Sequence, residues 1–179
     1  MKDQQTLIES ILLTNDGVGI FDPEDRLIFC NDALAIIFGV TATEALHKTF
    51  SQLCFSCFNS KLGINIESED FNAWMEMALS KRRKSNYRTF ETDTAQGAHF
   101  IVTEQIVQNN YLYTYVTDIT EKKKYEHKLT VMSQELEQLA TTDYLTGIRN
   151  RRYFYEKGRA EFNRSKREET KLSVLLLGL

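Results

Sequence analysis

The stretch that decides the fold runs from Val116 to Arg152 and reads VTDITEKKKYEHKLTVMSQELEQLATTDYLTGIRNRR. Within it, apolar residues recur at intervals of four, three, four and three: Tyr125, Leu129, Met132, Leu136 and Leu139. That spacing predicts a linker helix over residues 119–141 with a coiled-coil seam on one side. About two to three heptads are marginal for an isolated coiled coil, so the helix needs a folded domain at each end. The alternative is a linker helix that packs on its own chain.

Composition limits the class of protein. The chain has 179 residues, of which 42% are hydrophobic and 11% aromatic, enough to bury a core. Its 22 basic and 25 acidic residues nearly balance, so no large field of one sign points to nucleic acid or an anionic membrane. No run approaches the ~18 apolar residues of a membrane span, and no signal peptide is recognisable. Three cysteines without a secretory signal favour reduced thiols, and we expect a cytoplasmic protein.

A short basic run occupies Lys81–Lys84. It follows an amphipathic pattern, so the favoured interpretation is cations at a helix C-terminus that run into a solvated loop. The alternative is a nucleic-acid patch, which the balanced charge of the chain disfavours. We therefore predict no nucleic-acid partner.

The first part of the chain predicts a helix and then a β-hairpin. Apolar residues at helical spacing predict a short amphipathic helix within residues 1–14. Two apolar runs, Val18–Phe21 and Leu27–Cys30, flank the sequence DPED at 22–25, which suits a type I turn. The pattern is typical of two antiparallel strands.

Short helices are predicted after the hairpin. Asn31 and Asp32 can cap a helix over Ala33–Phe38. Thr41 with Glu44 matches a capping box for another short helix. Residues 48–67 have no regular pattern beyond one helical turn.

A one-sided helix and three strands are predicted next. Ser68 is the predicted cap, and apolar residues then recur at i, i+3, i+4, i+7 and i+8: Phe71, Trp74, Met75, Ala78 and Leu79. Three further segments read as strands: Tyr87–Thr92, His99–Gln108 and Tyr111–Thr117. Asn109 and Asn110 suit a tight turn with positive φ. The predicted fold class is α+β, a five-stranded antiparallel sheet with helices on one face.

That order of elements, with Asn31-Asp32-Ala33 after the second strand and Asp118-Ile119-Thr120-Glu121 after the last, resembles a PAS domain over residues 15–118. In that family a D-I-T-type segment joins the last strand to an output helix. The resemblance implies a domain that senses a small ligand, light or redox state, or that dimerises. By its own chemistry, either Asp118 or Thr120 can cap the first free N–H groups of the helix.

A signal-coupling path is therefore predicted through Asp118, Thr120, Leu129, Met132 and Leu136. Ligand or partner binding would shift the last strand against the linker helix and change the seam packing. A differential affinity of a few kcal/mol between two packings is enough for such a switch. We expect a homodimer, to which the first helix contributes apolar residues: Leu7, Ile8, Ile11 and Leu12.

A second resemblance begins at residue 142. The sequence DYLTGIRNRR at 143–152 is similar to the D-x-L-T-G-L-x-N-R-R opening of a GGDEF domain, the diguanylate cyclase family. The matched positions are Asp143, Leu145, Thr146, Gly147, Asn150, Arg151 and Arg152. Asn150 or Thr146 can cap the next helix, and Val174–Leu177 is typical of a buried strand. Arg151 and Arg152 either contact phosphate or pack on the domain core.

The resemblance at residues 142–179 implies an output that joins two GTP molecules into c-di-GMP. The family's catalytic loop is absent, so we predict no catalytic residue here and expect this chain alone to be inactive. Because a lone helix and strand cannot bury Val174–Leu177, we expect a piece of a longer protein. GTP and Mg²⁺ are expected only for a complete, intact domain.

One residue departs from the family pattern. Gly178 stands where an Asp that ligands Mg²⁺ usually follows the apolar run, and two carboxylates normally hold that ion. This departure favours the alternative function, a non-catalytic PAS dimer scaffold with a degenerate GGDEF domain. Such a protein is similar to hybrids that carry a c-di-GMP phosphodiesterase domain.

Metal and cofactor sites find little support. Cys54 and Cys57 have C-x-x-C spacing, but a zinc site needs four ligands, so buried core is favoured over metal or a redox pair. A haem-binding PAS domain normally has a His on its long helix, and a flavin-photoadduct one has an N-C-R-F-type motif; neither is found. We predict no metal and no cofactor in this chain. The ligand-pocket candidates are Trp74, Tyr113 and Tyr115, with sheet-facing core as the alternative.

Overall fold

A computed structural model describes residues 2–175, without the side chains of residues 2, 4 and 7. The chain divides into two compact units, Met1–Lys124 and Tyr125–Leu179. The domain limits predicted from the sequence stay a prediction. So do the expectations for Gly178 and for the side chain of Leu7, which lie outside the described part.

The first unit is a five-stranded antiparallel sheet with helices. Its strands are β1 (Gly17–Phe21), β2 (Leu27–Cys30), β3 (Tyr87–Asp93), β4 (His99–Ile106) and β5 (Leu112–Asp118). They lie in the order β2-β1-β5-β4-β3, and each neighbouring pair is antiparallel. Its helices are α1 (Lys2–Leu13), α2 (Asp32–Ile37), α3 (Ala42–Ala45), α4 (Phe50–Ser60) and α5 (Phe71–Lys81). The α+β architecture predicted from the sequence is confirmed.

The core lies against one face of the sheet. Along β5, Leu112, Thr114 and Val116 are buried, and the residues between them are not. Helices α2 and α4 cover this face with Leu34, Leu53 and other fully buried side chains. Strand alternation therefore separates a buried face from an outward face, as the sequence predicts.

Several helix starts and the β4–β5 turn lie where capping and turn residues of the sequence predict them. Asn31 caps α2 through a hydrogen bond from Leu34 N, and Thr41 forms a complete capping box with Glu44. At the β4–β5 turn, Asn109 and Asn110 have φ values of 57° and 61°. Asparagine tolerates this left-handed conformation better than most residues, which explains its position there.

Helix α4 extends the single helical turn that the sequence predicts around Gln52–Phe58 in the otherwise irregular segment 48–67. Thr49 and Gln52 form a second complete capping box at its start. Cys54 and Cys57 are buried, so tertiary packing stabilises a sequence with modest helix propensity. The Thr-x-x-Gln spacing was a usable signal that the sequence analysis missed.

Helix α5 differs from the predicted one-sided buried helix in two ways. Asp70 caps it through hydrogen bonds from Asn72 N and Ala73 N, so Ser68 is not its cap. Met75 is its one buried residue, while Leu79 is exposed. Trp74 and Ala78 of α5 line a cavity rather than a filled core, as described below.

The second unit contains α7 (Arg151–Glu168) and most of α6 (Thr120–Thr141), which begins in the first unit. Helix α6 lies where the sequence predicts a helix over residues 119–141, and its role as a linker stays a prediction. Residues 171–175 have no regular secondary structure, so the predicted strand is not formed in this described part. Within residues 2–175, no helix is long and apolar enough to cross a membrane.

Candidate functional site

An apolar cavity of about 510 Å³ lies between the buried face of the sheet and the helices of the first unit. Apolar side chains from several elements form its walls: Phe21, Leu34, Ile37, Phe38, Phe50, Val102 and Val116. Trp74 and Ala78 of α5 line it as well. A volume of this size falls in the range of cavities that hold small-molecule ligands.

Of the three aromatic residues proposed for a ligand pocket, one lies on the cavity. Trp74 lines it, whereas Tyr113 and Tyr115 lie on the outward face of β5. The cause is strand alternation, which turns Thr114 and Val116 inward and the tyrosines outward. The Tyr115 hydroxyl donates a 2.5 Å hydrogen bond to Asp16, which raises the pKa of that hydroxyl. A ligand contact by Trp74 stays a prediction.

A buried arginine forms one end of the cavity. Arg82 is only 4% exposed, although the sequence analysis placed it in a solvated loop. Its Nε donates to Asp25 Oδ2 at 2.8 Å, and its Nη1 donates to Glu104 Oε1. Its guanidinium also lies over the rings of Phe21 and Phe50, at 4.5 and 4.0 Å from their centroids. That prediction was wrong because long-range partners bury this cation.

Two further arginines complete the charged cluster. Arg83 donates to Asp25 Oδ1 at 3.1 Å and to two backbone carbonyls of nearby turns. Arg88 donates to Glu104 Oε2 at 2.5 Å. Three guanidinium groups thus face two carboxylates, which leaves one net positive charge. Buried charges are tolerated when they are paired in this way.

Two buried polar atoms, in or near the arginine cluster, have no hydrogen-bond partner among the described residues. They are Nη2 of Arg82 and Oγ1 of Thr114. Both residues line the cavity. Buried polar atoms are nearly always hydrogen-bonded in folded proteins. The cavity therefore combines apolar walls with a polar end that has unused hydrogen-bonding capacity.

The start of α6 is fastened to the sheet. Asp118 Oδ1 accepts a 2.7 Å hydrogen bond from Thr120 N, as expected of a cap. Thr120 Oγ1 instead accepts from His99 N at 2.9 Å and donates to His99 O at 3.4 Å. Thr120 therefore binds the neighbouring strand β4 and does not cap the helix, which corrects that alternative. A coupling role for these residues stays a prediction.

The predicted seam of α6 lies on the surface of the described chain. Leu129, Met132 and Leu136 are 66%, 47% and 65% exposed. Tyr125 and Leu139 at its two ends are exposed as well. An exposed apolar row on a long helix is typical of a surface that pairs with another helix.

Residues 143–150 form a compact turn between α6 and α7. Asp143 Oδ1 accepts hydrogen bonds from Leu145 N, Thr146 N and Thr146 Oγ1, at 3.2, 3.0 and 2.8 Å. These bonds hold the pKa of Asp143 below its ordinary value. Gly147 has φ +70°, a conformation that favours glycine. Asn150 caps α7 through Tyr153 N, so of the two predicted caps Asn150 is the one used.

The remaining motif residues are exposed. Leu145 is on the surface, Arg151 lies over the Tyr155 ring, and Arg152 pairs with Glu156 at 2.9 Å along the helix. Neither arginine is buried against a core in residues 142–175. The motif's polar residues thus build the turn, and its apolar residue is left without a covering surface.

The cysteines are buried thiols of the first unit. Cys54 and Cys57 lie on α4, and Cys30 lies at the end of β2. Burial raises the pKa of all three, that of Cys30 to about 11. Among the residues that the structure describes, no group of three His, Cys, Asp or Glu is placed to hold a metal ion.

No protein-family model and no curated protein sequence matches the chain. It is similar to the PAS domain of BvgS from Bordetella pertussis, at 22% identity and a TM-score of 0.46, covering 75% of this chain and 96% of that one. It is similar to a PAS domain from Colwellia psychrerythraea, at 12% identity and a TM-score of 0.46, covering 66% of this chain and 98% of that one. A third similar structure is the PAS domain of the quorum-sensing receptor RpfR from Cronobacter turicensis in complex with BDSF. Its identity is 17% and its TM-score 0.40, and the match covers 59% of this chain and 95% of that one.

Three residues of the polar end escaped the sequence analysis: Arg82, Glu104 and Thr114. One signal for Glu104 was available, because it falls on the same strand face as Phe100 and Val102. A carboxylate on a buried strand face requires a cationic partner. The identity of that partner was not available from local spacing.

Proposed function

We propose that residues 15–118 form a PAS sensor module whose cavity binds a small molecule. The bound state is passed through the end of β5 to α6, and α6 regulates a c-di-GMP signalling output of the diguanylate cyclase type. The sensor acts as a homodimer that pairs along the α6 seam. Three separate observations support the three parts of this proposal.

The continuity of β5 with α6 carries the sensing part. Thr114 and Val116 of β5 line the cavity, and Asp118 ends the same strand. Thr120 then ties the first turn of α6 to the backbone of His99. A ligand that displaces Thr114 or Val116 therefore acts on a strand that leads within six residues to the anchored helix start at Thr120. Two states that differ in this anchoring supply the bistable element that a switch requires.

The exposed seam carries the dimer part, and single cysteines test it. Leu129→Cys, Met132→Cys and Leu136→Cys should each give disulfide-linked dimers under mild oxidation. Gln134→Cys, on the opposite side of α6, is the matched control and should give far fewer. The three native thiols are buried and should contribute little background. Equal crosslinking at position 134 and the seam, or none at the seam, would contradict the paired helix.

The motif at 143–152 carries the output part. The motif matches the GGDEF opening in sequence. In the structure, its polar residues form the hydrogen bonds of the turn and cap α7. The test is an assay of the gene product that contains this chain, first with GTP and Mg²⁺ and then with c-di-GMP. Formation of c-di-GMP is expected. If no c-di-GMP forms from GTP, the cyclase output is refuted.

A second candidate function rests on Gly178 in the sequence. A glycine at a position where the resemblance implies a metal-binding Asp favours a degenerate domain in a PAS dimer scaffold. In that case the same assay should show no synthesis, with hydrolysis of c-di-GMP if a phosphodiesterase domain is attached.

A further inference from the structure

We propose that the polar end of the cavity binds the carboxylate of a monocarboxylic acid whose apolar body fills the rest of the cavity. The headgroup site consists of Arg82 Nη2 and Thr114 Oγ1. This inference rests on the sensor proposal above and names the chemical class of its ligand. The position, the hydrogen-bonding capacity and the charge of these two residues support the inference.

The two atoms belong to one place in the fold. Glu104 and Thr114 are direct partners in the β4–β5 register, and both side chains turn to the buried face. Arg82 donates to Glu104, which brings its guanidinium beside the same pair of strands. Arg82 and Thr114 both line the cavity and are 4% and 5% exposed. A ligand in the cavity can therefore meet both atoms without entering solvent.

The hydrogen-bonding capacity favours an acceptor with two oxygens. Nη2 of a guanidinium carries two N–H groups and no acceptor, and the Thr114 hydroxyl supplies one more donor. Neither atom has a partner among the described residues. Leaving a buried donor unpaired costs about 1–3 kcal/mol, more for a charged group, so a ligand that accepts these bonds recovers that cost. A carboxylate accepts several such bonds in a charge-assisted geometry.

The charge of the cluster favours an anion. Arg82, Arg83 and Arg88 outnumber the carboxylates of Asp25 and Glu104 by one. The two oxygens of Glu104 are occupied by Arg82 Nη1 and Arg88 Nε, so they do not compete for Nη2. One carboxylate would make the cluster neutral, whereas an ammonium headgroup would add to its positive charge.

The site is preorganised and leads into apolar space. The rings of Phe21 and Phe50 hold the plane of the Arg82 guanidinium, and Asp25 holds its Nε. Preorganised donors lose little freedom on binding, which favours affinity. Beyond them, most of the cavity wall consists of aliphatic and aromatic side chains that suit a hydrocarbon body, and Lys81, Thr89, Glu91 and Thr92 also line the cavity.

The test compares three probes that share one tail: decanoate, decanol and decylamine. Each is titrated below its micelle concentration into the chain of residues 1–179, with fluorescence of Trp74 and calorimetry as readouts. Decanoate should bind best, decanol at least about tenfold more weakly, since one charge-assisted hydrogen bond is worth about 1.5–3 kcal/mol. Decylamine should bind more weakly still.

Thr114→Val removes the hydroxyl and keeps the shape of the side chain. Because the hydroxyl has no partner in the described chain, the variant should fold at least as well as the parent. Its decanoate affinity should fall about tenfold. Thr117→Val, on the outward face of the same strand, is the control and should bind decanoate normally.

The headgroup site is refuted if decanoate binds no better than decanol, or if Thr114→Val leaves decanoate binding unchanged. It is also refuted if no probe binds. The proposed function is tested separately, because the seam crosslinks and the nucleotide assay do not depend on the class of ligand. Equal binding of all three probes would leave a cavity sensor standing without this headgroup site.

Discussion

Removal of Arg82 provides the most direct test of the charged cluster. In Arg82→Met, the buried Glu104 loses its Arg82 partner and keeps Arg88, and Asp25 keeps Arg83. Breaking a buried ion pair from one side costs about 3–5 kcal/mol, because the remaining charge stays buried. Since each carboxylate retains one arginine, we expect the lower end of that range, about 3 kcal/mol.

The assay is urea unfolding followed by the fluorescence of Trp74, the single tryptophan, which lines the cavity. With a slope of about 2 kcal/mol per molar urea, the midpoint should fall by about 1.5 M. The matched control is Lys123→Met, which removes the half-exposed partner of Glu91. Exposed ion pairs are worth about 0.2–1 kcal/mol, so the control should shift by at most ~0.5 M.

A double variant sharpens the result. Arg82→Met combined with Glu104→Met removes both buried charges and should be less destabilised than the sum of the two single variants. Strict additivity would mean that the two residues do not interact in solution. A midpoint for Arg82→Met within about 0.3 M of the parent would refute a buried, paired Arg82.

Two further predictions concern Asn31 and the thiols. Asn31→Ala should lower the free energy of unfolding by about 3 kcal/mol in urea titrations, because the buried amide accepts from Val18 N and Leu34 N and donates to two carbonyls. Iodoacetamide at pH 7 should leave Cys54 unmodified in the native protein and alkylate it in urea, as read by mass spectrometry, because burial raises the pKa of this thiol and keeps it protonated. The same raised pKa leaves folding stability intact below about pH 8.5 and lowers it as the pH rises further.

For each of these two predictions, one result would contradict it. Equal stability of Asn31→Ala and the parent would mean that the four hydrogen bonds of this side chain do not form. Native alkylation of Cys54 as fast as that of an unfolded chain would place α4 away from the core.

Much of the fold could be predicted from local sequence. The strands follow from alternation, as in β5, where Leu112, Thr114 and Val116 share one face. The helix starts at Asn31 and Thr41 follow from side chains that satisfy N–H groups two or three residues away. Helix α6 follows from the apolar spacing within residues 120–141, a segment that contains no Gly or Pro. These interactions span a few residues, so the sequence by itself determines them.

The polar end of the cavity is decided only by the tertiary structure. Arg82 meets Asp25 across 57 positions and Glu104 across 22, and no local pattern pairs them. Thr120 likewise turns to His99, 21 positions away, rather than to its own helix. The apolar spacing of α5 predicted a row of buried residues. Whether those residues pack against other side chains or line a cavity depends on which sheet residues lie opposite the helix. Long-range partners are selected by the packing of the whole unit, because only there do burial and charge pairing act together.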